Sequence, residues 1–249
     1  YLYSANDRTV IEGKPLIEPM YYEYPFETSA YDFQNQYLFG AELMIAPITE
    51  KISADLQMAS VNVWLPEGIW YDFFTGQPYK GDVELKVFRK TSEYPVFAKA
   101  GAIIPMDNKP LDKEEIPKEI VWKIFPGADN TYVLFEEGNE TTIKVKNQTL
   151  YLTEKVKTER YHIIEFAGQV VLPAKQGDIV LDLTQFTSQF DWGFSSSLLE
   201  RLDIAEISYE EKDNIYARLS TLQDFDKRAA FIQKLENSLL RGSLFELIY

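Results

Sequence analysis

The chain of 249 residues is 45% hydrophobic and 14% aromatic, ample material for one large or two to three small domains with packed cores. Its 39 acidic against 25 basic residues leave a formal net charge of −14, which repels a phosphate backbone or an anionic leaflet and argues against nucleic acid and membrane surfaces as partners. With no cysteine, a disulfide framework, a thiolate zinc site and a cysteine nucleophile are excluded, and a reducing, cytoplasmic setting fits.

The opening YLYSANDRTV lacks the charged and apolar regions of a signal peptide, and no apolar run approaches the roughly 20 residues of a spanning helix. It starts without Met, inside an element that reads as already under way, so a segment of a longer polypeptide is expected. Tyr1 to Gly13 reads as the end of a helix closed by Gly13, and PLIEPMYYEYP as a short apolar strand between prolines, the grammar of an α/β unit. From Gln36 to Ile48 apolar residues are nearly continuous, as in an element buried on both faces, and pattern alone does not separate helix from strand.

Val61, Val63 and Leu65 then alternate with Asn62 and Trp64, Pro66-Glu67-Gly68 supplies turn chemistry, and Ile69 to Phe74 resumes, which predicts a β-hairpin. The runs VELKVF, YPVFAKAGAIIPM, EIVWKIF, NTYVLFEEG, ETTIKVK, RYHIIEF and DIVLDL follow at sandwich-like spacing, so the middle of the chain reads as antiparallel β. The polar stretch Asp107 to Lys118 carries two prolines and a charge cluster and marks a boundary between two β-domains. After about Gln185 helices dominate. Ser208 to Glu211 has capping-box spacing, and Phe231, Leu235 and Leu239 make one apolar stripe suited to docking onto the β-domains or, less simply, onto a partner.

Candidate chemistry is sparse. Trp64, Trp70, Tyr71, Phe73 and Phe74 could stack on sugar rings, but alternation sends at least one set of them into a core. The pairs Glu136-Glu137, Glu114-Glu115 and Glu210-Glu211 read as solvated surface charge, since neighbours on a strand face opposite ways. The lone His162 offers neither a metal cluster nor a triad and reads as structural, and the sequons at Asn139 and Asn147 read as polar turns. There is no phosphate loop, no HExxH and no calcium-loop spacing, so no cofactor, no metal and no catalytic residue is assigned.

Laid end to end, EGKPLIEPMYYEYP, QYLFGAELMIAPIT, VNVWLPEGIWYDFFTG and PVFAKAGAIIPM resemble the C-terminal portion of glycoside hydrolase family 31, the family of α-glucosidases and α-xylosidases. The resemblance implies a mainly β chain. Residues 1–48 would be the last helix and strand of a (β/α)8 catalytic barrel and 49–110 a proximal β-sandwich. Residues 111–186 would form a distal β-domain and 187–249 a helical tail, a possible homo-oligomer contact. FPGADNTYVLFEEGN resembles a distal-domain segment, although Gly138 follows Glu136-Glu137 where the family often ends on Asp-Gly, and the tail has no counterpart in most members.

The resemblance also implies a retaining mechanism, in which one carboxylate attacks the anomeric carbon and a second carboxyl serves as acid and then base. The motifs that carry both are absent here. The expectation is therefore an accessory, scaffolding part, silent alone, whose α-glucoside or oligosaccharide substrate is held by a missing barrel. Tyr22 and Glu23, at the C-terminal end of the barrel strand, would stand at the pocket edge. α-Xylosidase, transglycosylase and α-glucan lyase activities share the frame, and a stand-alone carbohydrate-binding module built on Trp64 and Trp70 is the alternative of a different class.

Overall fold

The computed structural model describes residues 1–108, 117–136, 138–188 and 191–249. The boundary expected after residue 110, the pair Glu114-Glu115 and the second member of Glu136-Glu137 lie outside the described residues.

The chain opens with helix α1 (Leu2–Glu12), stopped by Gly13 at φ 70°, a left-handed conformation that glycine adopts without Cβ strain. Strand β1 (Ile17–Pro19) is only three residues long, and Pro19 leads directly into the helical turn α2 (Met20–Glu23), followed by α3 (Ser29–Asp32). Tyr22 and Glu23 thus sit in a helical turn and not at a strand end. The apolar stretch after Gln36 is neither one helix nor one buried strand. It is a pair, β2 (Tyr37–Phe39) and β3 (Leu43–Ile45), because Gly40 at φ 64° turns the chain between them.

Strands β4 (Ala59–Leu65), β5 (Ile69–Asp72), β6 (Pro78–Lys80) and β7 (Val83–Arg89) correct the hairpin expected at Pro66. β4 pairs with β7 and β5 pairs with β6, each antiparallel. One long hairpin is therefore bent at a corner into two sheets, and its tip lies at residues 73–77. The corner is closed by Gly81 N–H donating to the Gly68 carbonyl at 2.7 Å and Asp82 N–H donating to the Leu65 carbonyl at 2.9 Å. A Cβ at Gly81 would lie 1.9 Å from the Pro66 carbonyl oxygen, so the two backbones meet only because glycine is there. Corners of this kind let strands change sheets in closely packed sandwiches.

β8 (Val96–Lys99) joins β3 to β5, completing a six-stranded sheet of order β1-β2-β3-β8-β5-β6. Between it and β4-β7 lies a core that includes Met44, Val63, Trp64, Leu65, Trp70, Tyr79 and Phe97. The second sandwich stacks a four-stranded sheet of order β15-β14-β10-β9 on another of order β11-β12-β13-β16. Its strands are β9 (Ile103–Asp107), β10 (Glu119–Ile124), β11 (Asn130–Glu136), β12 (Asn139–Lys146), β13 (Thr149–Glu154), β14 (Tyr161–Phe166), β15 (Gln169–Gln176) and β16 (Ile179–Asp182). β10 and β14 run parallel, an exception to the antiparallel reading that no local pattern signals, since the crossover between them spans three strands of the facing sheet. Trp122, Ile143, Leu150, Leu152 and Ile164 are wholly buried at its centre.

Helices complete the chain: α4 (Thr184–Ser188), α5 (Phe194–Ile204), α6 (Tyr209–Thr221), α7 (Phe225–Ile232) and α8 (Ser238–Ile248). Ser208 caps α6 by accepting from the Glu211 N–H at 3.2 Å. The stripe Phe231, Leu235, Leu239 does not lie on one helix. Asn237 accepts from the N–H groups of Leu239 and Leu240, both at 3.0 Å, and so starts a new helix in the middle of it. All three residues still pack on a shared core with Leu56, Met58 and Phe88 of the β-region.

Candidate functional site

The expected pocket edge borders a polar cleft of about 230 Å³ that includes Arg8, Lys14, Glu18, Glu23, Glu42 and Lys99 among its lining. α1 supplies Arg8, the β1 strand Glu18, the α2 turn Glu23, the β2-β3 turn Glu42 and the end of β8 Lys99. Tyr22 does not line it; its ring is 60% exposed and stands edge-on to Tyr21. Glu23 accepts a hydrogen bond from Lys14 at 2.8 Å, and that contact holds its carboxyl below the usual range.

Glu42 behaves in the opposite sense. Its side chain is buried, which pushes its carboxyl pKa up, while Lys99 and Asn130 oppose the shift. The Asn130 amide spans both sandwiches, donating to Glu42 at 3.3 Å and to the Gly101 carbonyl at 3.0 Å. Nearby, the Tyr1 hydroxyl donates to the Phe39 carbonyl at 2.8 Å and accepts from the Glu42 N–H at 3.3 Å, fastening α1 to the β2-β3 turn. Carboxyls displaced in opposite directions within one cleft can serve acid and base roles. Here each is already engaged, Glu23 by Lys14 and Glu42 by Asn130, in clamping elements together. Among the described residues no group of His, Cys, Asp and Glu has the makings of a metal site.

The aromatic hairpin resolves into two populations. Trp64, Trp70 and Tyr71 are buried, and the Trp70 indole N–H donates to the Pro66 carbonyl at 2.9 Å, so neither tryptophan offers a face to a ligand. Phe74 is 55% exposed at the hairpin tip. His162 is wholly buried, its Nδ1 accepting from the Trp122 indole at 3.1 Å and its Nε2 lying 3.3 Å from Glu154, which fixes the proton on Nε2. Burial pushes its pKa down, against the pull of Glu154.

Sequence reading missed a buried network of alternating charge. Arg89 lies between two carboxylates, 2.6 Å from Asp72 and 2.5 Å from Glu246, and Arg201 reaches the other oxygen of Glu246 at 2.7 Å. Glu246 also accepts from the Tyr79 hydroxyl at 3.1 Å and the Phe88 N–H at 2.9 Å, while Asp72 accepts from the N–H groups of Phe74 and Thr75. All four charged side chains are buried, so α5 and α8 are locked to β5 and β7 by alternating charge with its lone pairs satisfied. The only local hint is a glutamate between Phe245 and Leu247, one turn after Gly242 and Ser243. At Gly242 a Cβ would lie 3.1 Å from the Phe88 ring, so the glycine permits the approach that buries Glu246.

Residues 13–104 match the family described as Glycosyl hydrolase family 31 C-terminal domain. Over 224 residues, 86% of the chain, the sequence is 25% identical to an α-xylosidase of Saccharolobus solfataricus, and it covers 28% of that protein. It is 31% identical over 108 residues, 43% of the chain, to neutral α-glucosidase C of Mus musculus, covering 12% of it. The chain thus spans well under a third of the curated relatives it matches. Among solved structures, a family 31 α-xylosidase of Xanthomonas citri shares the fold over 74% of this chain and 22% of its own, with a TM-score of 0.59 at 22% identity. A family 31 dextranase of Flavobacterium johnsoniae does so over 67% of this chain and 23% of its own, with a TM-score of 0.56 at 24% identity. Residues 13–104 are thus similar to the C-terminal domain of glycoside hydrolase family 31.

Proposed function

We propose that this chain is the accessory, C-terminal part of a retaining α-glucosidase-like enzyme acting on α-linked glucosides or oligosaccharides, with both catalytic carboxylates supplied by a barrel outside these 249 residues. The observation that carries the proposal is the match of residues 13–104 to a C-terminal domain, in a chain covering 28% or less of the curated relatives cited. A second observation supports it. Leu2, Val10, Ile11, Ile17, Tyr22 and Phe26 are each exposed, on α1, β1 and the turns after it, apolar surface that a barrel could cover. In this role the chain closes the barrel and holds the loops beside its pocket, and Glu23 stands at the pocket rim.

The α-xylosidase likeness extends over 86% of the chain, against 43% for the α-glucosidase cited, which favours an α-xyloside as the second substrate reading. The test measures release of p-nitrophenol from its α-glucoside and α-xyloside by this chain and by the chain extended upstream. Turnover by the extended protein alone supports the proposal and selects the sugar. Turnover by the 249-residue chain sinks it.

A further inference from the structure

A second cleft, of about 220 Å³, opens between the tip of the bent hairpin, the loop after β7 and helices α5 and α8. We propose that this cleft is a binding site for a neutral oligosaccharide, with Phe74 as its stacking platform. Three features lead to that chemistry.

The first is its lip. Phe74 is 55% exposed and meets Tyr94, 52% exposed, edge-on at 5.9 Å, while Phe73 behind it is held by the Lys123 ammonium 5.3 Å from its ring centroid. A rigid exposed aromatic pair presents an apolar face at low entropic cost, suited to the C–H face of a pyranose. The N–H groups of Phe74 and Thr75 are pinned to the Asp72 carboxylate at 2.9 and 2.8 Å, which fixes the backbone of the tip from which the exposed ring projects.

The second is electrical balance. Arg89, Lys90 and Arg201 line the cleft opposite Asp72, Glu93 and Glu200, and the pairs Arg89–Asp72 and Lys90–Glu200 are already formed. A site with no surplus charge does not concentrate phosphates, sulfates or cations. It still offers the exposed carboxylates of Glu93 and Glu200, which accept from vicinal hydroxyl groups, and the hydroxyls of Thr75, Ser92 and Ser197, which both accept and donate.

The third is shape. Met58, Phe88 and Leu247 give the cleft an apolar floor, so a ring edge can be desolvated below while hydroxyls are met at the sides. The buried ion network beneath keeps hairpin and helices from moving apart, which makes the cleft preformed. The proposal requires no catalysis by this chain, and its failure is separate from failure of the enzymatic reading above.

The test is titration of the full chain with maltotriose and, separately, cellotriose to about 20 mM, well beyond the millimolar affinity of a small open site. Calorimetry supplies the constant and saturation-transfer NMR the ligand epitope. Saturable binding of either sugar is expected, weakened about tenfold or more by Phe74→Ala and by Tyr94→Ala, two exposed positions at which an unchanged melting midpoint certifies folding. Absence of saturable binding by either sugar overturns the proposal, as does binding that both folded variants retain undiminished.

Discussion

Glu246 meets Arg89 at 2.5 Å across 157 residues of chain, and through it the last helix is fastened to the first sandwich. Burial alone would push the Glu246 carboxyl up, but Arg201 and Arg89 together outweigh it and hold the carboxyl below its usual range. Removing the carboxylate leaves the buried Arg89 relying on Asp72 and the buried Arg201 on the Ser243 carbonyl. Glu246→Ala should therefore cost about 3–5 kcal/mol of unfolding free energy in urea, the range for breaking a buried ion network from one side. A cost below 1 kcal/mol would mean that water reaches the arginines.

The same group sets a pH dependence. A carboxyl whose pKa is depressed in the fold contributes stability at pH above its unfolded value near 4.3, and that stability is lost as pH falls through the lower folded value. Acid unfolding followed by tryptophan fluorescence should thus detach the helical segment below about pH 4, and a double variant Arg89→Met, Glu246→Leu should flatten that limb.

His162 acts over a higher range. Its pKa is lowered by burial, so the unfolded chain binds a proton more readily than the fold, and stability present above about pH 6.5 is lost as pH falls through the folded value. The melting midpoint of the second sandwich should fall as pH drops below about 6.5, and His162→Gln should remove that slope while lowering stability at pH 8.

Trp70 and Phe74, four residues apart, should respond in opposite ways. Trp70→Ala opens a cavity in a full core and should cost about 3–5 kcal/mol by urea unfolding. Phe74→Ala, at an exposed tip, should change stability by less than about 0.5 kcal/mol.

At the corner of the bent hairpin, Gly81→Ala should destabilise by about 2–3 kcal/mol or more, because its Cβ would meet backbone and not a yielding side chain. Gly68→Ala, where the added Cβ meets open space, should show only the strain of its φ of 123°, about 1–3 kcal/mol. A cost of Gly81→Ala below about 1 kcal/mol would mean that the corner relaxes.

Much of the fold was legible locally, because alternation, capping and glycine termination are written in neighbouring residues. Gly13 ends α1, Ser208 starts α6, and Val61, Val63 and Leu65 turn their side chains into one core. Pairing was not legible. Pro66-Glu67-Gly68 carries the same turn chemistry whether the chain reverses or bends a corner, and only contact with Gly81 and Asp82 decides. Likewise Phe231, Leu235 and Leu239 keep helical spacing across a helix break that Asn237 makes.

The candidate sites divide in the same way. The family resemblance rests on four ordered motifs that any reader of the chain can find. Which aromatics are exposed, and that Asp72, Arg89, Arg201 and Glu246 meet, depends on elements as far apart as Arg89 and Glu246, 157 residues along the chain, brought together by packing. Local propensity and periodicity act within a turn or a strand, whereas the burial that pairs charges or bares a ring exists only after distant surfaces have closed on one another.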